Sequence, residues 1–251
     1  MSGFAWTEDM LRFMEDAARW GDYHRRLAAE LAPWLPRDGR VLDAGCGQGF
    51  LTMALAPWCA SVTGADRDGR ALEWLVAEAR RRGLENVSAW ETDLFSAPAR
   101  PGGFDAMVFC FFGSVEEILT LAGQYRPKAL VMVKKAWRCH RFDAGNRPLR
   151  RYTYGEACGK LTEMGIPFAR RELKLEFGQP FRRLEDAERF FAIYKRGETC
   201  FSPEEIRARL RETGRADFPW YLPSENHLGL ICVHTGAIPD EITLCDKEKT
   251  L

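Results

Sequence analysis

The chain has 251 residues, enough for one or two domains, and its 46% apolar and 29% charged residues are those of an ordinary folded protein. That composition excludes a disordered chain, a collagen-like one and a small disulfide scaffold. Thirty-six basic side chains balance thirty-six acidic ones, so the basic excess with which a nucleic-acid binder meets phosphate is missing, and the expected partner is a small molecule.

The longest apolar stretch, 106–112, falls far short of the roughly twenty residues that cross a bilayer. The first residues carry acids and no basic run, so neither a secretory signal nor a membrane anchor is expected. The eight cysteines (Cys46, Cys59, Cys110, Cys139, Cys158, Cys200, Cys232 and Cys245) contain no CxxC pair. They are expected to be reduced thiols in a cytoplasmic protein, with no metal site.

Leu11, Met14 and Ala18 recur at helical spacing, and a second helix is expected over about 23–35, capped by Asp22 and ended by Pro33, Pro36 and Gly39. Arg40 to Ala44 reads as a strand that runs abruptly into Gly45-Cys46-Gly47-Gln48-Gly49, followed by a helix from Phe50 to Ala56. Strand, glycine turn and helix open a parallel α/β sheet. The alternation continues with a strand at Ser61 to Ala65 closed by Asp66, a helix from about Arg70 to Arg82 stopped by Gly83, and a strand at Val87 to Glu91. Residues 96–103 form a loop by composition, and strands follow at 104–111 and 129–133. These runs are continuous rather than alternating, as central parallel strands should be.

Beyond them the rhythm changes. Residues 138–151 read as a basic loop, and Thr153 to Glu156 as a capping box opening a helix that ends at Gly165. Residues 172–177 alternate cleanly, which predicts a strand with one wet face near a sheet edge. Helices are expected at about 184–194 and 203–212, the second opened by Ser202-Pro-Glu-Glu205, and a last strand at 228–235. The final dozen residues are polar.

The chemistry-bearing signal is Val41-Leu-Asp-Ala-Gly-Cys-Gly-Gln-Gly49. Alternate glycines allow a sharp bend and a close backbone approach to a ligand. The third glycine comes one residue early for a dinucleotide fingerprint, and Asp43 two residues before the first would repel a pyrophosphate while suiting an ammonium group. A nicotinamide-dependent oxidoreductase is therefore disfavoured, and the lack of a Tyr-x-x-x-Lys pair also argues against it.

At every position this segment resembles the first motif, (V/I)LD(L/A)GCGxG, of the class I (Rossmann-like) S-adenosylmethionine-dependent methyltransferases. The resemblance is good from about residue 40 to 133 and architectural beyond. It implies a doubly wound, mostly parallel seven-stranded sheet with one antiparallel strand and helices on both faces. It also implies that Asp66 binds ribose hydroxyls and that Asp93 meets the adenine amino group, with Leu94 and Phe95 against the ring. The implied cofactor set is Asp43, Gly45, Cys46, Gly47, Gly49, Asp66, Arg67, Thr92, Asp93, Leu94 and Cys110, the cofactor being S-adenosylmethionine with S-adenosylhomocysteine as product. Residues 1–38 are expected to be a helical cap and 39–251 the Rossmann-like domain, with an insertion over about 178–226 as an acceptor-pocket wall or a structural decoration.

Methyl transfer rests mainly on alignment and exclusion of water, and a general base is needed only for a hydroxyl or protonated amine acceptor. No residue declares itself as that base. By family topology the acceptor candidates are Tyr23, Phe112, Ser114, Lys135, Trp137 and His140, with Phe111, His24, Tyr152 and His227 behind them. The expected activity is O-, N- or C-methylation of a small organic molecule. RNA or protein methylation, and a cofactor-binding regulatory module without catalysis, stay open as alternatives, as does a homodimer. The asparagine-proline-proline-aromatic signature of amino-group methylases is absent after the fourth strand, where Phe109-Cys-Phe-Phe-Gly113 stands.

Overall fold

Apolar runs without alternation can be buried on both faces, and these runs pair side by side. The computed structural model describes residues 6–96, 98, 103–136, 142, 144, 153–195 and 198–238. The 138–151 loop, except Phe142 and Ala144, and the polar C-terminal residues lie outside them, as do Trp137, His140, Tyr152, Cys139 and Cys245. The chain divides into two compact units: Met1–Tyr23 with Trp137–Arg151 and Lys174–His227, and His24–Ala136 with Tyr152–Leu173 and Leu228–Leu251.

The second unit is built on β1 (Arg40–Ala44), β2 (Ser61–Asp66), β3 (Val87–Glu91), β4 (Ala106–Cys110), β5 (Ala129–Lys135) and the larger parts of β6 (Ala169–Glu176) and β10 (Glu225–His234). Their order is β3-β2-β1-β4-β5-β10-β6. β1 to β5 pair in parallel, with Asp43 opposite Gly64 and Val108. β10 runs antiparallel to β5, placing Leu228 opposite Lys135. The expected seven-stranded sheet with one reversed strand is present, and alternating β6 takes its edge. Its helices are α2 (Tyr23–Leu31), α3 (Phe50–Leu55), α4 (Gly69–Arg81), α5 (Val115–Tyr125) and α6 (Tyr154–Glu163). Leu42, Met107, Phe109, Ile118, Tyr125 and Leu161 are among the buried side chains of its main core.

Several boundaries differ from expectation. The second helix stops at Leu31 and continues as a 3₁₀ turn over Ala32–Trp34, because Pro33 disfavours α geometry in the residue before it. β4 is shorter than 104–111, while β5 extends to Lys135 and β10 begins at Glu225. α5 was not expected at all, although Ser114-Val-Glu-Glu117 is a capping box with both reciprocal bonds present.

The first unit contains α1 (Glu8–Trp20), α7 (Leu184–Tyr194) and α8 (Pro203–Arg209). It also holds a second sheet of β7 (Gln179–Phe181), β8 (Arg211–Glu212) and β9 (Trp220–Leu222), antiparallel in the order β7-β9-β8. That sheet was missed, and α8 ends at Arg209 rather than 212, because strands of two or three residues carry no readable period. Phe13 is 1% exposed and meets Phe190 edge-on at 5.4 Å, so α1 joins residues 179–222 in one aromatic core. Gln179 Nε2 donates to the Phe13 carbonyl (3.1 Å), and Arg182 pairs with buried Asp16 (2.7 Å).

Candidate functional site

The site forms where β1 gives way to the glycine turn. Gly45, Gly47 and Gly49 have φ of +69°, +54° and +69°, a left-handed region that costs other residues roughly 1–2 kcal/mol each. Space enforces glycine as well, since a Cβ on Gly45 would lie 2.5 Å from Phe112 Cγ, and one on Gly49 2.7 Å from a Leu75 methyl. Gly45 and Cys46 both donate their N–H to the Ala65 carbonyl (2.8 and 3.0 Å), which ties the turn to β2.

Asp66 closes β2 and grips both sides of the bend. Its Oδ2 accepts from the Gly47 N–H at 2.8 Å and its Oδ1 from the Asp68 N–H at 3.0 Å. A carboxylate has about four acceptor positions, so two remain for a donor pair such as a diol. Asp68 in turn caps α4 by accepting from the Arg70 N–H at 3.1 Å, and Arg67 beside it is exposed. The Glu91 carboxylate approaches the same helix start, where a Cβ on Gly69 would lie 2.8 Å from it.

Asp43 lies beneath the turn at 1% exposure, with its Oδ2 accepting from the Thr52 hydroxyl at 2.7 Å. Burial pushes its carboxyl up from 3.8 to about 6, and the Asp66 charge adds to the rise against the Thr52 bonds. The folded chain thus holds this proton until about pH 6, whereas the unfolded chain releases it near 3.8. The proton stabilises the fold fully below about 3.8, and that contribution is lost as pH rises through 6, at a cost of about 3 kcal/mol. Asp43→Asn should therefore gain stability over wild type between pH 4 and 7 and then hold a constant margin. Urea unfolding at stepped pH measures this; a margin independent of pH would contradict it.

After β3 the Thr92 N–H donates to the Asp66 carbonyl at 2.8 Å. Asp93 accepts from the Phe95 N–H (3.1 Å) and the Ser96 hydroxyl (3.4 Å), so it also shapes its own turn. Leu94 is 3% exposed and belongs to the core. Phe95, 42% exposed, stacks on Phe112 at 5.3 Å.

The carboxyl end of β4 is strained. Phe111 has φ +57°, an unfavourable conformation for a bulky side chain that only its surroundings can hold. Its N–H donates to the Val133 carbonyl at 2.9 Å, and Lys134, 1% exposed, donates Nζ to the carbonyls of Gly113 (2.5 Å) and Phe112 (3.3 Å). Burial lowers the Lys134 ammonium to about 8 against the pull of Cys110, Glu117 and Glu156. The strand expected over 129–133 extends to Lys135, which places Lys134 inside the sheet as a buried charge.

The acceptor candidates fare unevenly. Phe112 covers Gly45, and the Lys135 ammonium lies 5.6 Å from the Phe111 ring centroid. Ser114 caps α5, its hydroxyl accepting from the Glu117 N–H and its own N–H donating to the Glu117 carboxylate. Tyr23 falls in the first unit, 4% exposed and stacked on Phe177 at 4.3 Å, and His227 falls there too. His24 stacks on Phe50 at 5.4 Å, and burial with the Arg82 charge lowers its imidazole to about 3, so it is neutral at pH 7. Burial raises both the Cys46 and Cys110 thiols, so neither is a thiolate near neutrality. Among the described residues no group of three or more His, Cys, Asp or Glu side chains could hold a metal. Nor is any helix long and apolar enough to cross a membrane.

A turn that favours glycine at three positions is thus pinned to an acid at the end of β2 in this strand order. Residues 41–123 match the model of a family described as a methyltransferase domain. Over those residues the chain is similar to a methyltransferase domain, and its strand order is that of the class I, Rossmann-like fold. S-adenosylmethionine is the cofactor of that class. The fold is similar to a S-adenosylmethionine-dependent methyltransferase of Methanosarcina mazei (TM-score 0.51, 16% identity, 82% of this chain and 96% of that one). One from Aquifex aeolicus is also similar (TM-score 0.52, 16% identity, 67% and 93%). The chain is 43% identical over 75 residues to the 23S rRNA (uracil(1939)-C(5))-methyltransferase RlmD of Chromohalobacter salexigens, a stretch covering 29% of this chain. That stretch is 16% of the relative's length.

Proposed function

We propose that the protein binds S-adenosylmethionine at the glycine turn and transfers its methyl group to an oxygen, nitrogen or carbon of a small organic molecule. The observation that carries this reading is the Asp66 carboxylate, held by two backbone N–H groups beside a bend that leaves no room for a Cβ. A diphosphate would face the negative charges of Asp43 and Asp66 there, whereas a cationic ligand with a sugar diol is matched by them.

In this reading Asp66 takes the ribose hydroxyls, and Asp93 takes the adenine amino group with the acceptor capacity its own turn leaves. The backbone from Gly45 to Gly49 approaches the ligand with no side chain between, and Arg67, Thr92, Leu94 and Cys110 contribute through their main chain or as neighbours. When bound, the cofactor supplies an electrophilic methyl on sulfur. The chain's part is to hold the acceptor in line and keep water out, work that falls to Phe111, Phe112 and Lys135 at the ends of β4 and β5. Unpaired thiols in all six described cysteines agree with a cytoplasmic location. The balanced charge favours a small acceptor.

The experiment is a thermal-shift comparison followed by an acceptor screen. S-adenosylhomocysteine at a hundred times its Kd should raise Tm by roughly 5–10 °C, from about 2.7 kcal/mol of linkage, while NAD and NADP leave it unchanged. A shift with the dinucleotides instead would overturn the cofactor assignment. A second reading, methylation of RNA, is favoured by the local match to an rRNA enzyme. Labelled methyl incorporated into RNA, with none in small molecules, would replace the first reading by the second.

A further inference from the structure

Charge is seldom placed inside a central strand, and Lys134 is an exception. Leu130, Val131, Met132 and Val133 precede it in β5, all fully buried, and Lys134 itself is 1% exposed. Taking an ammonium out of water is costly, and an apolar side chain of similar volume often serves stability as well or better. Burial lowers this ammonium to about 8, although Cys110 on β4, Glu117 on α5 and Glu156 on α6 all favour the cation.

What the ammonium holds is the turn between β4 and α5. That turn has positive φ at both Phe111 (+57°) and Gly113 (+69°), and at a phenylalanine such a conformation persists only where the surroundings impose it. The Phe111 N–H donates to the Val133 carbonyl, and Ser114 is committed to the capping box of α5. Between these two anchors, Lys134 Nζ donates to the carbonyls of Phe112 (3.3 Å) and Gly113 (2.5 Å), bonds strengthened by its charge. The effect reaches the glycine bend, because the Phe112 ring, stacked on Phe95, fills the space that a Cβ on Gly45 would need. A turn free to relax its strain would carry that ring away from the bend.

We propose that Lys134 is a positioning residue for methyl transfer: its buried ammonium holds the strained turn after β4, keeping Phe112 against the glycine bend that takes the cofactor. Lys134 acts through the two carbonyls and not by touching a ligand. This rests on the cofactor reading above.

Para-fluorophenylalanine at position 112 reports on the turn with no ligand present. In the otherwise wild-type chain its fluorine resonance should titrate with a midpoint near pH 8, as the ammonium loses its proton and its bonds to the carbonyls weaken. Lys134→Met keeps the apolar stem and removes the charge, so it should abolish that titration and shift the resonance. Calorimetry with S-adenosylhomocysteine then reads the site through a double-mutant cycle. Lys134→Met should weaken binding at least about fivefold in the wild-type chain but less than about twofold in a Phe112→Ala background, because both act through one ring. A resonance indifferent to Lys134, full affinity in Lys134→Met, or losses that simply add would each overturn the proposal. Should Lys134→Met not fold, the titration in the wild-type background decides: its presence supports the proposal and its absence overturns it. Failure of the wild-type protein to bind S-adenosylhomocysteine would refute the cofactor reading instead, and the fluorine titration would still decide whether Lys134 holds the turn.

Discussion

Asp66→Ala should weaken S-adenosylhomocysteine binding by roughly a hundredfold, about 3 kcal/mol, as measured by calorimetry. The substitution acts twice. It deletes the acceptor proposed for the ribose diol, and it frees the Gly47 and Asp68 N–H groups that the carboxylate holds at 2.8 and 3.0 Å. Hydrogen bonds to a charged acceptor are each worth about 1.5–3 kcal/mol, so loss of the diol contacts alone accounts for most of the effect. Asp66→Asn separates the two roles. Its amide oxygen can still accept from one of the backbone donors, but its nitrogen faces the other donor unfavourably, so binding should fall between wild type and alanine. Full affinity in Asp66→Ala with an unaltered melting temperature would remove Asp66 from the site.

Gly45→Ala should cost roughly 3 kcal/mol of stability, lower Tm by about 6–12 °C and abolish measurable cofactor binding. Part of the cost is conformational, since φ is +69° there. The rest is steric, because the added methyl would lie 2.5 Å from Phe112 Cγ and push that ring from its stack with Phe95. A control is built into the same unit. Gly159 lies exposed within α6 and has nothing within 4 Å of an added Cβ, so Gly159→Ala should gain up to about 1 kcal/mol from helix propensity. If both alanines shift Tm alike, the turn does not require glycine for the reasons given. Scanning calorimetry on the two variants decides it.

Arg40–Ala44 and Val87–Glu91 were readable to the residue because each is a short run holding valine and other apolar residues between turn signals, in step with the strand–helix alternation. The capping box at Thr153 likewise announced α6, since that bond pattern is local and needs only four residues. The same pattern at Ser114 was legible but was read only as a candidate substrate contact, and its hydroxyl caps the helix it starts. For Leu94 the position after β3 was legible, and packing against its neighbours places it in the core.

What the chain determined by itself is the set of local choices: where strands run, where helices are capped, and where φ must be positive. These rest on interactions between residues a few positions apart, and they sufficed for the parallel α/β architecture and the glycine turn. The tertiary structure decided what depends on distant partners. It buried Lys134 against the carbonyls of Phe112 and Gly113, joined α1 to residues more than 160 positions away through Gln179 and Arg182, and closed Gln48 off with its amide unpaired. Burial and desolvation are properties of the folded surroundings, so a linear pattern can name a buried lysine or amide but cannot say that it is buried.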